Sequence, residues 1–172
     1  ELTNKEQVTN KSTTDKNNAR FGHVRQEDNP VQISSTVVPG GSGISLLFDF
    51  LGTGSGKSPG KDYRISTKSV SFKIPLTDNN KDLCIKHDIR GFVRVPDGTR
   101  ATLFMQLCGK TTVMNWTSSV NPNGDIYETF KHTLPKGKEC LGTLFLLTER
   151  DSENVEEALL VIDSLDITIL EP

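Results

Sequence analysis

The stretch FLGTGSGKS, Phe50 to Ser58, comes nearest in this chain to a cofactor motif. A phosphate loop needs G-x-x-x-x-G-K-[ST] between a buried strand and a helix, so that successive backbone N–H groups wrap the phosphates and the helix N-terminus faces them. Gly56, Lys57 and Ser58 fit, and ISLLFDFL from Ile44 to Leu51 is a credible strand, but Leu51 stands where the first glycine must be. Pro59-Gly60 and KDYRIST follow, with no apolar repeat at helical spacing. The stretch therefore reads as a flexible Gly/Ser loop between strands, and nucleotide binding is not expected.

Other chemistry-bearing residues are sparse. His23, His87 and His132 lie far apart, so no pair has metal-ligand spacing. No G-x-S-x-G nucleophile elbow occurs, and Cys84 cannot use His87 as a base, because residues three apart on a strand point to opposite faces. DNNKD (78–82), NPNGD (121–125) and DSLD (163–166) offer carboxylates for calcium, but none has the spacing of a calcium loop, and turn chemistry accounts for the first two. No catalytic residue, cofactor or metal site is assigned. Cys84, Cys108 and Cys140 include no C-x-x-C. At most one intrachain disulfide can form: Cys108 with Cys140 is the favoured pair, Cys84 with Cys108 the alternative, and three reduced thiols the intracellular reading. Asn10 and Asn115 head N-x-[ST] sequons and are candidate glycosylation sites.

The net charge of −2 comes from 20 basic and 22 acidic residues, which argues against nucleic acid as a partner. The longest apolar runs, GTLFLLT and ALLVIDSL, are far shorter than the roughly 20 residues of a membrane-spanning helix. The sequence starts at Glu1 without a charged segment followed by an apolar one, so any signal peptide is expected to have been removed already or never to have been there.

These residues must be positioned by strands. From Ile44 onward the apolar period is two: Ile44, Leu46, Phe48 and Phe50 form one buried face, and Val70, Phe72, Ile74 and Leu76 another. CIKHDIRGFVRVPDGTRATLFMQLC carries two such runs around Pro96-Asp97-Gly98. It is expected to be a hairpin pairing Val93 with Ala101 and His87 with Leu107, with Gly98 at positive φ and His87 on the apolar face. TTVMNWT, IYETFKHT, CLGTLFLLT and ALLVIDSLDITIL bring the count to roughly nine strands without an amphipathic helix. The fold expected is all-β, an antiparallel, jelly-roll-like β-sandwich over residues 41–172.

Residues 1–40 form the exception, an extended polar arm whose scattered apolar residues are too few to order it alone. Within it VQISSTVV has strand composition, and Val31, Ile33, Val37 and Val38 are candidate contacts to a partner through strand addition to a sheet edge.

Several short segments resemble the secreted proteins of domain-of-unknown-function family 4360: LLFD (46–49), SVSFKIPL (69–76), DIRGF (88–92), CLG (140–142) and IDSLD (162–166). The likeness spans about residues 43–169. Family members carry G-C-P before the first strand and a cysteine at the position of Ser69; this chain has GSGI and Ser69, so the family's disulfide pattern does not transfer. The resemblance implies an exported β-sandwich and supplies no catalytic residue. The function expected is a non-catalytic secreted or envelope sandwich assembling with itself or another extracellular protein through its arm. The alternative is a carbohydrate-binding module, marked by an exposed aromatic platform around Trp116 or Tyr127. The third reading is a hydrolase, marked by His87 or His132 with a carboxylate in a pocket.

Overall fold

A computed structural model describes residues 19–26, 31–55, 57–58, 61–62, 64–77, 80–120, 123–151 and 156–170. Among them the chain forms β1 (Arg20–Phe21), β2 (Gln32–Val37), β3 (Gly43–Ser55), β4 (Lys57–Ser58), β5 (Lys61–Asp62) and β6 (Ile65–Thr77). There follow β7 (Leu83–Arg94), β8 (Thr99–Leu107), β9 (Lys110–Thr117), β10 (Gly124–Leu134), β11 (Glu139–Arg150) and β12 (Ala158–Leu170). The described residues contain no helix. A back sheet has the order β1-β6-β11-β8-β9 and a front sheet the order β10-β7-β12-β3-β2; β4 and β5 form a short ribbon. All the pairings are antiparallel.

The long strands β3 and β6 to β12 alternate between sheets, apart from the β8–β9 hairpin, and this is the jelly-roll arrangement. Each strand turns one set of alternate residues inward. Leu46, Ile85, Ile89, Leu103, Leu146, Leu160 and Leu165 are fully buried between the sheets. Each such side chain contributes about 1.5–3 kcal/mol by leaving water.

The sequence-based hairpin is corrected here. The inward faces of the two runs are as expected, and Gly98 has φ 80. Yet β7 pairs with β10 and β12, β8 pairs with β9 and β11, and the Pro96–Gly98 turn carries the chain from one sheet to the other. A strand that buries one face packs equally well beside its neighbour or across the core from it, so alternation alone does not choose. The Gly/Ser loop is corrected too: Gly52 to Ser55 is strand, paired with Ala158 to Val161, and Thr53 and Ser55 are buried.

The described part of the first forty residues belongs to the same folded unit. Arg20 and Phe21 pair with Thr77 and Leu76 of β6, and Arg25 bridges to Lys73. Phe21 and Val31 lie in the core. The segment VQISSTVV supplies β2, which pairs with β3 of its own chain. Its open edge is capped by one side chain: Gln26 Nε2 donates to the Val31 carbonyl and Gln26 Oε1 accepts from the Ile33 N–H, so an amide imitates a neighbouring strand.

Candidate functional site

Two strands of the front sheet lose their alternation at the same level. In β3 the buried positions run 44, 46, 48 and then 51, 53, 55; in β12 the buried apolar positions run 158, 160, 162 and then 165, 167, with Ser164 buried beside Leu165 where the alternation breaks. Ile162 lies opposite Leu51 and Gly91, and Ser164 opposite Leu47 and Arg90. Asp163 is therefore the extra residue of a bulge in β12, answered by the longer bulge 48–50 of β3. Gly91 makes the bulge sterically feasible, since a Cβ there would sit 2.1 Å from the Val161 carbonyl oxygen and 3.1 Å from Ile162 Cα.

The bulge reorients an aromatic ring. Phe50 adopts φ 55, a conformation that bulky residues rarely take. It is 71% exposed, and its ring leans over the bare backbone of Gly52, with Cζ 3.6 Å from where a Cβ would be. Beside it along the sheet come Val161 on β12 and Phe92 on β7, with Gly52 opposite Val161 and Val161 opposite Phe92; on β10 Asp125 stands opposite Phe92, and Tyr127 lies diagonal to it, one row on. Phe92 is 38% and Tyr127 58% exposed. Tyr127 faces Arg90, whose guanidinium carbon lies 4.9 Å from the ring centroid, a cation–π contact that holds the ring. An apolar row thus crosses three strands, about 9 Å at the usual strand spacing, and steps diagonally to Tyr127 on the fourth. The exposed polar groups of Arg90, Asp125 and Asp163 lie beside it.

One row along the sheet, Asp88 and Asp166 stand opposite each other. Facing carboxylates repel. Each is compensated by a hydroxyl from the strand on its far side: Thr129 Oγ1 donates to Asp88 Oδ1 at 2.6 Å, and Ser45 Oγ donates to Asp166 Oδ1 at 2.6 Å. Lys86 Nζ lies 3.8 Å from Asp88 Oδ2. The segments LLFD, DIRGF and IDSLD, distant in sequence, are therefore neighbours on the middle strands of one sheet.

The histidines do something else. His87 and His132 meet with ring centroids 5.1 Å apart, and His87 stacks on Phe130 at 5.2 Å. His87 is fully buried, and among the described residues neither of its ring nitrogens has a hydrogen-bond partner. Burial first, then the neighbouring His132, lowers its pKa to about 4, against a smaller opposing pull from Asp88. Burial also lowers the pKa of His132. His23 is exposed, with Nδ1 3.1 Å from Ser35 Oγ.

The other expected sites fall as follows. Cys108 and Cys140 are disulfide-bonded, with Cα atoms 4.6 Å apart, tying the β8–β9 turn to the start of β11, and Cys84 is free and exposed. Asn115 is exposed on β9, and its side chain accepts from Thr102 Oγ1 at 3.0 Å; Asn10 lies outside the described residues. Of the two residues that would mark an exposed aromatic platform, Trp116 is only 4% exposed and belongs to the core, whereas Tyr127 is exposed. Val31, Ile33 and Val37 turn inward in their own domain, whereas Val38 is exposed. Among the described residues no group of three or more His, Cys, Asp or Glu could hold a metal; parts of DNNKD and NPNGD lie outside those residues. No described helix is long and apolar enough to cross a membrane.

Sequence reasoning misses Phe50, Phe92 and the Arg90–Tyr127 pairing. Alternation carried one step past Phe48 puts Phe50 inward, whereas the structure turns it to solvent. The available signal is the slip itself, Ile44-Leu46-Phe48 followed by Leu51, matched in β12 by Ile162 followed by Leu165.

No protein family and no curated protein matches this sequence. Among solved structures the chain is similar to the CBM36-1 domain of a multidomain xylanase from the hindgut metagenome of Trinervitermes trinervoides. That likeness is 14% identical, covers 89% of this chain and 100% of that one, and has a TM-score of 0.35. It is similar also to CBM35 from Paenibacillus barcinonensis, at 12% identity over 88% of this chain and 100% of that one, with a TM-score of 0.31. Dimeric latent PorU from Porphyromonas gingivalis is 11% identical over 88% of this chain, with a TM-score of 0.37, and the match spans 12% of its length.

Proposed function

We propose that this protein is a non-catalytic carbohydrate-binding module whose saccharide lies along the Tyr127–Phe92–Val161–Phe50 band. The observation that carries the reading is the exposed aromatic band itself, bordered by charged groups and held by Arg90 over Tyr127. Contiguous exposed apolar surface of this kind marks a binding site. Aromatic faces accept the C–H faces of sugar rings while neighbouring polar groups take hydroxyls. Buried His87, packed on Phe130 and against the half-buried His132 on the inward face of the sheet, favours binding over hydrolysis. The disulfide supports an oxidising, extracellular or envelope location. Family 4360 membership is part of the proposal, since three of the segments that carry the likeness meet at the bulge. Assembly through VQISSTVV is not retained, because that strand completes the front sheet of its own chain.

The test is affinity gel electrophoresis against a panel of neutral β-1,3- and β-1,4-linked polysaccharides. Retardation by at least one is expected, weakened about tenfold or more by Tyr127→Ala or Phe92→Ala. Retardation by none of the panel, or unchanged retardation of the double variant, would overturn the reading.

A further inference from the structure

The back sheet carries a groove remote from the aromatic band. A cavity of about 810 Å³ is lined by Arg25, Lys73, Lys138, Glu139, Leu141 and Thr143, among others. Its volume is that of a ligand site. The floor is the outer face of β6 and β11, where Lys73 stands opposite Leu141 and Ser71 opposite Thr143. One wall is the segment before β2, whose Arg25 exchanges both backbone hydrogen bonds with Lys73 of β6, at 2.8 and 2.9 Å.

That exchange decides the electrostatics. Directly opposed residues project to the same face with Cα atoms about 5.5 Å apart, and like charges so placed are destabilising. Lys138 adds a third cation at the same cavity. Lys86, Arg94 and Arg100 each have a carboxylate partner, but among the described residues none pairs with Arg25, Lys73 or Lys138. Among the described residues Glu139 is the only carboxylate lining the cavity. Among the described lining residues three cations thus meet one carboxylate, a net positive charge in one concave place of a protein whose net charge is −2.

We propose that this groove binds a short anionic saccharide, with its carboxylate or sulfate held between Arg25 and Lys73. The cavity is larger than a bare inorganic anion needs. It sets the hydroxyls of Ser71 and Thr143, which bond each other at 3.1 Å, beside the exposed apolar side chain of Leu141, a combination suited to a sugar ring. The negative overall charge disfavours a long polyanion such as nucleic acid. The proposal is independent of the front-sheet band.

Isothermal titration of the full chain at low and physiological salt tests it. The probes are an oligogalacturonide, a sulfated oligosaccharide, the neutral counterpart of each, and inorganic sulfate. At least one acidic oligosaccharide is expected to bind, more weakly at higher salt, and Arg25→Gln or Lys73→Gln should weaken it about tenfold or more. Lys131→Gln, an equal loss of charge on the front sheet, should leave that affinity unchanged. Lys73→Gln should also leave unchanged any binding of the neutral sugars, which separates this groove from the aromatic band. Absence of binding by both acidic oligosaccharides, indifference to Arg25→Gln and Lys73→Gln, or sulfate alone binding as tightly as the saccharides would each overturn the proposal.

Discussion

Acidification should destabilise the protein through His87 in a way that can be isolated. In the folded state the imidazole is held neutral: its pKa is lowered from 6.5 to about 4 because it is buried against Phe130 and His132, with only Asp88 pulling the other way. The unfolded chain binds a proton at the ordinary value and the folded chain does not. Stability is therefore full above pH 6.5, declines as pH falls through the window from 6.5 to about 4, and the histidine contributes no further change below it. A tenfold difference in proton affinity between the two states corresponds to about 1.36 kcal/mol, so the full effect approaches about 3 kcal/mol. Carboxylates also titrate in this range, so the comparison is between wild type and His87→Leu, by urea denaturation at pH 7.5, 5.5 and 4. The difference between the two stabilities should move by up to about 3 kcal/mol against wild type on acidification. His132, whose pKa burial also lowers, adds to the acid sensitivity of both proteins with the same sign. A difference that stays constant to within about 0.5 kcal/mol across that range would show that His87 is not held neutral in the fold.

Three further outcomes follow from packing and edges. Gly91→Ala places a Cβ 2.1 Å from the Val161 carbonyl oxygen. It should cost about 2–3 kcal/mol and lower Tm by about 5–10 °C, read by thermal melting, and an unchanged Tm would refute the account of the bulge. Reduction of Cys108–Cys140, which spans 32 residues, should cost about 3–4 kcal/mol by release of loop-closure entropy, read as a shift of the urea midpoint with and without reductant. Gln26→Leu removes the cap from the edge of β2, exposing Val31 C=O and Ile33 N–H. A loss of about 1 kcal/mol in stability and concentration-dependent association in light scattering are expected, and a variant that stays monomeric would show that the cap does not protect that edge.

The sequence by itself determined the class of the fold and which residues face inward. Period-two alternation in a chain with mean hydropathy −0.39 and no helical repeat admits only one-sided strands, which must bury their apolar faces against another sheet. Hence the inward positions of β7 and β8, the inward His87, the left-handed Gly98 and the Cys108–Cys140 bond were all legible. Pairing was not. β7 and β8 are adjacent in sequence with matching patterns, yet they sit in opposite sheets, because alternation specifies a face and leaves the partner open. VQISSTVV reads as a strand looking for an edge, and only the tertiary structure supplies that edge, β3 of the same chain. The aromatic band depends on a shift of one residue in β12 and the matching insertion in β3, which turn Phe50 outward beside Phe92 and Tyr127. The groove depends on Arg25 meeting Lys73 across 48 positions of chain. Both surfaces are made of contacts between segments distant in sequence, and no local pattern encodes the distance between two strands that have yet to pair.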